Sequence, residues 1–256
     1  MRLVPPPAVP IDARGDWDVV GLALPSDYRA LVERYGRGEF NDLWSVFPPF
    51  GPDTLTDQIA VLEVDRDVRR DWPADYPYPL YPEPGGLLIW GAGSDGHRLC
   101  WLTEGRPDEW PVVVWHVRDG DYELRRAGAA EVLASLVADN GGVRPWFDQP
   151  RELTHVYVRL DEGRHSYRKR LKILKDALAP IVDRGGLKGV QDHFLATPAR
   201  WRVTYDNGYG HQIRIAFAPA DEQRAREAVA RAADLMGCAI KSTRRIDGTP
   251  VWGSAS

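Results

Sequence analysis

The sequence predicts an α+β chain of two domains, and three observations predict it. Charge divides the 256 residues: positions 1–150 hold 14 Arg and no Lys against 25 Asp plus Glu, a net of −11, whereas 151–256 hold 14 Arg and 5 Lys against 12 acids, a net of +7. In the first region short apolar runs follow one another too closely to be joined by crossover helices, which points to an antiparallel sheet. In the second the patterns run β, α, β, β, α, β. The length agrees, since one ordinary domain takes roughly 150 residues. The boundary is expected in Asn140-Gly141-Gly142 through Pro150, where both patterns break and the charge changes sign, so that one domain covers 1–145 and the other 151–256.

Composition narrows the class further. With 43% apolar and 27% charged residues the chain can build ordinary cores. No apolar run approaches the roughly 18 residues that span a bilayer, and the proline-rich Met1 to Pro10 has no signal-peptide core, so a cytoplasmic address and no membrane are expected. Cys100 and Cys238 are too few and too scattered for a disulfide framework or a zinc site.

The first helix is expected from Pro25 to Gly36. Tyr28, Leu31, Val32 and Tyr35 recur on one helical face, Pro suits the opening turn, and Gly supplies the left-handed residue that closes a helix. A shorter helix is expected from about Asp16 to Gly21. Strands follow at Gln58 to Val64, Gly86 to Trp90, Leu99 to Leu102, Val112 to His116 and Tyr122 to Arg125, with Asp119-Gly120 as a hairpin turn. A helix over Gly128 to Ala138 closes the domain, burying Val132, Leu133, Leu136 and Val137.

The second domain is expected to place strands at Thr154 to Leu160, Trp201 to Tyr205, Gln212 to Phe217 and Ala239 to Ile246. Its first helix starts near Ser166, carries Tyr167, Leu171, Leu174, Leu178 and Ile181 on one face, and is ended or kinked by Pro180. The second runs from Asp221 to Met236 and buries Ala225, Ala228, Val229, Ala232 and Leu235. This order suggests a ferredoxin-like α/β sandwich, although the connection from Gly185 to Arg200 is long for that fold.

Motifs offer binding chemistry and no catalyst. Gly91-Ala92-Gly93-Ser94-Asp95-Gly96 matches the dinucleotide fingerprint, but a strand pattern, not a helix, follows it, so it reads as a hairpin connection. Trp72 to Pro84 combines five prolines with Trp72, Tyr76, Tyr78 and Tyr81, a stiff loop whose rings either anchor a partner or cover the sheet edge. Asp53, Asp57, Asp65, Asp67, Asp71 and Asp75 form an acidic stretch, and Asp108-Glu109-Trp110 sets acids beside a ring. From these, Asp71, Trp72, Asp75, Tyr76, Asp108, Glu109 and Trp110 are the candidate partner-binding residues, since such a surface repels nucleic acid and attracts a basic protein. Arg168, Lys169, Arg170, Lys172 and Lys175 surround the polar side of a helix, with Arg168, Lys169 and Lys172 as the candidate anion-binding set. The six histidines show no metal spacing; His116 is expected to be a hydrogen-bonded strand residue and His211 a turn residue. No cofactor and no metal are expected.

Leu24-Pro25-Ser26-Asp27-Tyr28, Leu31 and Tyr35-Gly36-Arg37-Gly38-Glu39-Phe40 together resemble the opening signature of the SUKH superfamily, the Smi/Knr-like domains. Leu87 to Trp90, Leu99-Cys100-Trp101, Trp110 to Trp115 and the helix Ala129 to Val137 follow that family's order, so the resemblance covers about residues 11–140. It departs at Val19-Val20, where many relatives carry an acid, and in the appended basic domain, for which no family is recognised. The resemblance implies a SUKH-like antiparallel sheet with flanking helices, used for binding and not for catalysis. Bacterial members are commonly immunity proteins that neutralise a toxin, often a nuclease, and a fungal relative is a regulatory scaffold. A cytoplasmic immunity protein whose acidic domain covers a basic protein toxin is therefore the leading expectation. The alternatives are a regulatory or structural scaffold and nucleic-acid binding through the basic domain.

Overall fold

In the computed structural model, the described residues are 4–5, 15, 17–18, 21–94, 96–197, 199–208 and 210–253. They form two units, 1–150 and 151–256, each with its own antiparallel sheet. Asp16 and the Val19-Val20 pair of the expected helix over Asp16 to Gly21, Asp95 and most of Met1 to Pro10 lie outside the described residues.

The first unit opens with α1 (Ser26–Tyr35), bounded by Pro25 and by Gly36 at φ 64°. Next come β1 (Gly38–Phe40), β2 (Trp44–Val46) and α2 (Leu55–Asp71). Then follow β3 (Leu87–Gly93), β4 (His97–Leu102), β5 (Val112–His116), β6 (Asp121–Arg125), α3 (Ala129–Ala138) and β7 (Phe147–Asp148). The strands order β6-β5-β4-β3-β2-β1-β7. Gly91 to Gly96 connects β3 to β4 as a hairpin, as its flanking strand patterns require.

Side chains alternate across this sheet, and both sides are buried. Leu88, Trp90, Leu99, Trp101, Val112 and Val114 face α1 and α3, while Leu87, Ile89, Cys100, Val113 and Trp115 face Leu62 of α2. The runs Leu87 to Trp90 and Val112 to Trp115 are unbroken apolar stretches because a strand covered on both faces has no polar side to show.

One expected strand is a helix. Gln58 to Val64 lies inside α2, where Thr54 and Asp57 cap the first turn reciprocally and Leu55, Ile59 and Leu62 fall at steps of four and three on the covered face. A run of neighbouring apolar residues hid that period. Leu136 is only partly buried on α3. β1, β2 and β7 are too short to show a period; β7 lies beyond the expected boundary at 145 and pairs with β1. Gly38 has no Cβ because one would collide with Phe147 and the Asp148 carbonyl.

The second unit runs β8 (Thr154–Leu160), α4 (Tyr167–Ala177), β9 (Ile181–Leu187), β10 (Gln191–Ala196), β11 (Trp201–Asp206), β12 (Gln212–Phe217), α5 (Glu222–Leu235) and β13 (Ile240–Arg245). Its sheet orders β13-β8-β12-β11-β10-β9. Without β9 and β10 this is four strands in the order fourth, first, third, second, the ferredoxin-like arrangement the β, α, β, β, α, β pattern implies. The long connection is explained: it is the hairpin β9–β10, added at the edge beyond β11. α4 and α5 cover one face, burying Leu174, Ala225, Val229 and Ala232 against Val156, Val158, Val203 and Ile215.

Two side chains differ from expectation here, and His211 is the turn residue expected, just ahead of β12. Ile181 belongs to β9, because α4 ends before Pro180. Leu235, at the last turn of α5, is exposed. His211 is buried: its Nδ1 contacts the Asp161 carbonyl, which can only accept, so Nδ1 carries the proton. Its Nε2 then accepts from the Tyr205 hydroxyl at 2.7 Å, and Tyr205 accepts from Arg170 Nε at 2.8 Å.

Candidate functional site

The residues of the opening signature build the fold. Asp27 accepts from the Ala130 amide at 2.9 Å and so caps α3, whose own preceding residue, Gly128, offers no side chain. A Cβ on Gly128 would stand 2.5 Å from the Asp27 carboxylate. Tyr28 is buried edge-on to Trp101 at 4.8 Å, with its hydroxyl on the Phe47 carbonyl. Tyr35 donates to the Val4 carbonyl at 2.7 Å. A candidate surface lies outside these side chains, which are engaged in the fold.

Helix α2 supplies one. Its covered face holds Leu55 and Leu62, yet Val61, Val64, Val68 and Trp72 are 36, 65, 43 and 65% exposed. Their spacing of three, four and four residues sets them in one ridge on the outward side. Asp57, Asp67 and Asp71 are three or four positions from ridge members, which makes them neighbours along the same surface. The capping hydrogen bonds from Thr54 hold the Asp57 carboxyl below its ordinary range, so it is charged at neutral pH.

The ridge ends in the expected site. Asp71 and Trp72 close α2, a 3-10 turn spans Pro73–Asp75, and Tyr76 follows. Asp71, Trp72 and Asp75 are exposed, while Tyr76 is half-buried, edge-on to Trp115 at 5.7 Å. Tyr122 stacks on Trp115 at 5.2 Å and donates to the Asp75 carbonyl at 3.1 Å, which fixes the turn to the sheet. Arg98 lies over Trp115 and pairs with Asp65, so that acid is neutralised where the helix meets the sheet. Of the loop rings, Trp72 faces solvent, whereas Tyr76, Tyr78 and Tyr81 pack against the second core.

The other expected residues do not join this site. Asp108 accepts from the Ser26 amide at 2.6 Å and finishes the N-terminus of α1, on the α1–α3 side of the sheet; that hydrogen bond lowers its pKa. Glu109 pairs with Arg106. Trp110 is buried beside Trp101 at 6.0 Å and donates to the Gly105 carbonyl at 3.3 Å, because the turn Pro107–Glu109 sends its acids outward and the ring inward. Val61, Val64 and Val68 are additions to the site; a helical reading of Ile59 to Val68 would have found them.

In the second unit Arg168, Lys169 and Lys172 are exposed on α4, with Lys172 paired to Asp176 at 2.6 Å. Arg170 is not on that surface. It is buried and donates to Tyr205 and to the Glu162 and His165 carbonyls. Lys175 pairs with Asp183. His116 and His97 face each other across β4 and β5, with ring nitrogens 3.4 Å apart. Burial pushes the Cys100 thiol up to about 12, which makes it inert. Among the described residues no group of three or more His, Cys, Asp or Glu is placed to hold a metal ion, and no helix is long and apolar enough to cross a membrane.

Residues 18–128 match the SUKH_6 family, described as SMI1-KNR4 cell-wall. The first unit contains a SUKH-like domain. The match ends one residue before α3 and includes the whole of α2 and the strands from β1 to β6. No curated protein and no solved structure gives a significant match to this chain.

Proposed function

We propose that the SUKH-like unit is a non-enzymatic protein-binding module of the immunity type, working in the cytoplasm and neutralising a toxin with a basic surface, such as a nuclease. The observation that carries this reading is the outward ridge of α2, ending in Trp72 and flanked by Asp57, Asp67 and Asp71. An exposed apolar ridge needs a partner to cover it, and its acidic flank selects one of opposite charge. Asp75 and Tyr76 extend the surface at its lower end. Inhibition would be steric: carboxylates occupy ground meant for phosphates while Trp72 supplies short-range affinity.

Co-expression with the toxic region encoded by the adjoining reading frame tests it. Growth should be restored, and the purified pair should associate more slowly as salt rises while dissociation changes little. Trp72→Ala should weaken the pair by about tenfold or more without unfolding the protein. Undiminished toxicity in the presence of folded protein overturns the reading.

A further inference from the structure

Among the described residues of the second unit, helices cover one face of its sheet, and the register shows what the other face presents. Arg244 of β13 lies opposite Tyr157 of β8, and Tyr157 lies opposite Arg214 of β12. Residues opposite one another in an antiparallel pair point to the same side, so Tyr157 stands between two arginines in one row across the sheet. The arginines are two strand spacings, about 10 Å, apart. The next position along β8 on this face is Arg159, paired with Gln212, and the previous one is His155. His155, Arg159 and Arg244 are exposed and Tyr157 is half-buried. Arg214 is aimed by Asp206, fully buried, which accepts from it at 2.7 Å and from Gln191 at 3.0 Å.

We propose that this face binds single-stranded nucleic acid, with the Tyr157 ring stacking a base and Arg244, Arg159 and Arg214 holding the phosphates on either side. A planar ring set between cations suits a ligand that is itself planar and anionic by turns. The ring lies on the first strand of a β, α, β, β, α, β unit, between the edge strand β13 and β12, and in four-stranded sheets of this kind strand aromatics stack bases. A ring set between cations needs a base free of its pairing partner to stack on it, so single strands are the fitting form. Partial desolvation, the larger cause, and the nearby Arg202 charge lower the His155 pKa. Arg168 and Lys169 on α4 belong to the opposite, helical layer and take no part.

The test is fluorescence anisotropy of the full chain with labelled single-stranded RNA, single-stranded DNA and duplex DNA of about twelve nucleotides, at about 50 mM salt and upward. Binding of either single strand over the duplex is expected, weakening with a log–log salt slope of about −2, as three phosphate contacts require. RNA and DNA run side by side show which strand is preferred. Tyr157→Ala should cost about tenfold in affinity and Tyr157→Phe little. Arg244→Glu should weaken binding more than Lys169→Glu, with circular dichroism showing each variant folded. Absence of binding at low salt, a preference for duplex, or unchanged affinity in folded Tyr157→Ala overturns the proposal. So does equal binding of polyglutamate, the behaviour of a surface that recognises acidic protein.

Discussion

The two sheets solve the same problem differently. In the first unit helices cover both faces, and the central strands carry apolar residues at every position, as in Leu87 to Trp90. In the second, helices cover one face, and β8 alternates: Val156, Val158 and Leu160 inward, His155, Tyr157 and Arg159 on the other side. The central strands of the first sheet are closed off, so a partner meets a helix exterior, a loop or the exposed edge strand β6, and the ridge of α2 is such an exterior. The second keeps a face for chemistry. A strand's period thus tells whether its sheet can bind anything.

The largest test of this contrast sets one ring against another. Trp101→Ala, in the closed sheet, should destabilise the first unit by about 3–5 kcal/mol in urea unfolding, whereas Tyr157→Ala should stay within about 0.5 kcal/mol. Comparable losses would mean that the second face is closed too. Next, Arg170→Ala removes from the second unit a buried cation that donates to the Tyr205 hydroxyl and to the Glu162 and His165 carbonyls. A loss of about 3 kcal/mol confined to the second unit's transition is expected, while Lys169→Ala, one residue earlier and exposed, should be nearly neutral.

A smaller effect belongs to the first unit's helical layer. Asp27→Ala should cost about 1 kcal/mol, and Gly128→Ala should act through the same cap, so that the double variant loses less than the two losses added. Additive losses in thermal unfolding would refute the shared cap. The smallest effect concerns pH. Burial, the leading cause, lowers the His211 pKa, so the folded second unit holds this imidazole neutral. Its contribution is present above the unfolded value of about 6.5 and is lost as pH falls below it. The melting temperature of the second unit should therefore drop between about pH 7 and 5, and His211→Gln should flatten that drop; an unchanged slope would remove the assignment.

How much of this was legible in the chain depended on whether a residue's partner was near in sequence. α1 was readable because Tyr28, Leu31, Val32 and Tyr35 mark its buried face and Pro25 and Gly36 its ends. The ferredoxin-like order was readable from element sequence, while the β9–β10 hairpin was not, because a glycine-rich edge pair has little apolar signal. α2 was misread because Ile59, Ala60, Val61 and Leu62 are contiguous, although they point to both its covered and its outer side. Of the candidate site, Asp71, Trp72, Asp75 and Tyr76 were neighbours in the chain and stay neighbours in space. Asp108, Glu109 and Trp110 required knowing which face of the sheet their loop serves. The row Arg244, Tyr157, Arg214 was hidden for a stronger reason: its members come from three strands, and only the register aligns them.

The capping pattern in the first unit has a consequence for the chain's durability. α1 is finished by Asp108 and α3 by Asp27, each from a distant part of the chain. Neither helix owns its own beginning. A single cut in the exposed 104–109 loop would therefore loosen α1, and through Asp27 it would reach α3 without touching either helix. The layer behaves like an arch, standing through stones that are held from outside it, and a protease working on that one loop would find the shortest way to bring it down.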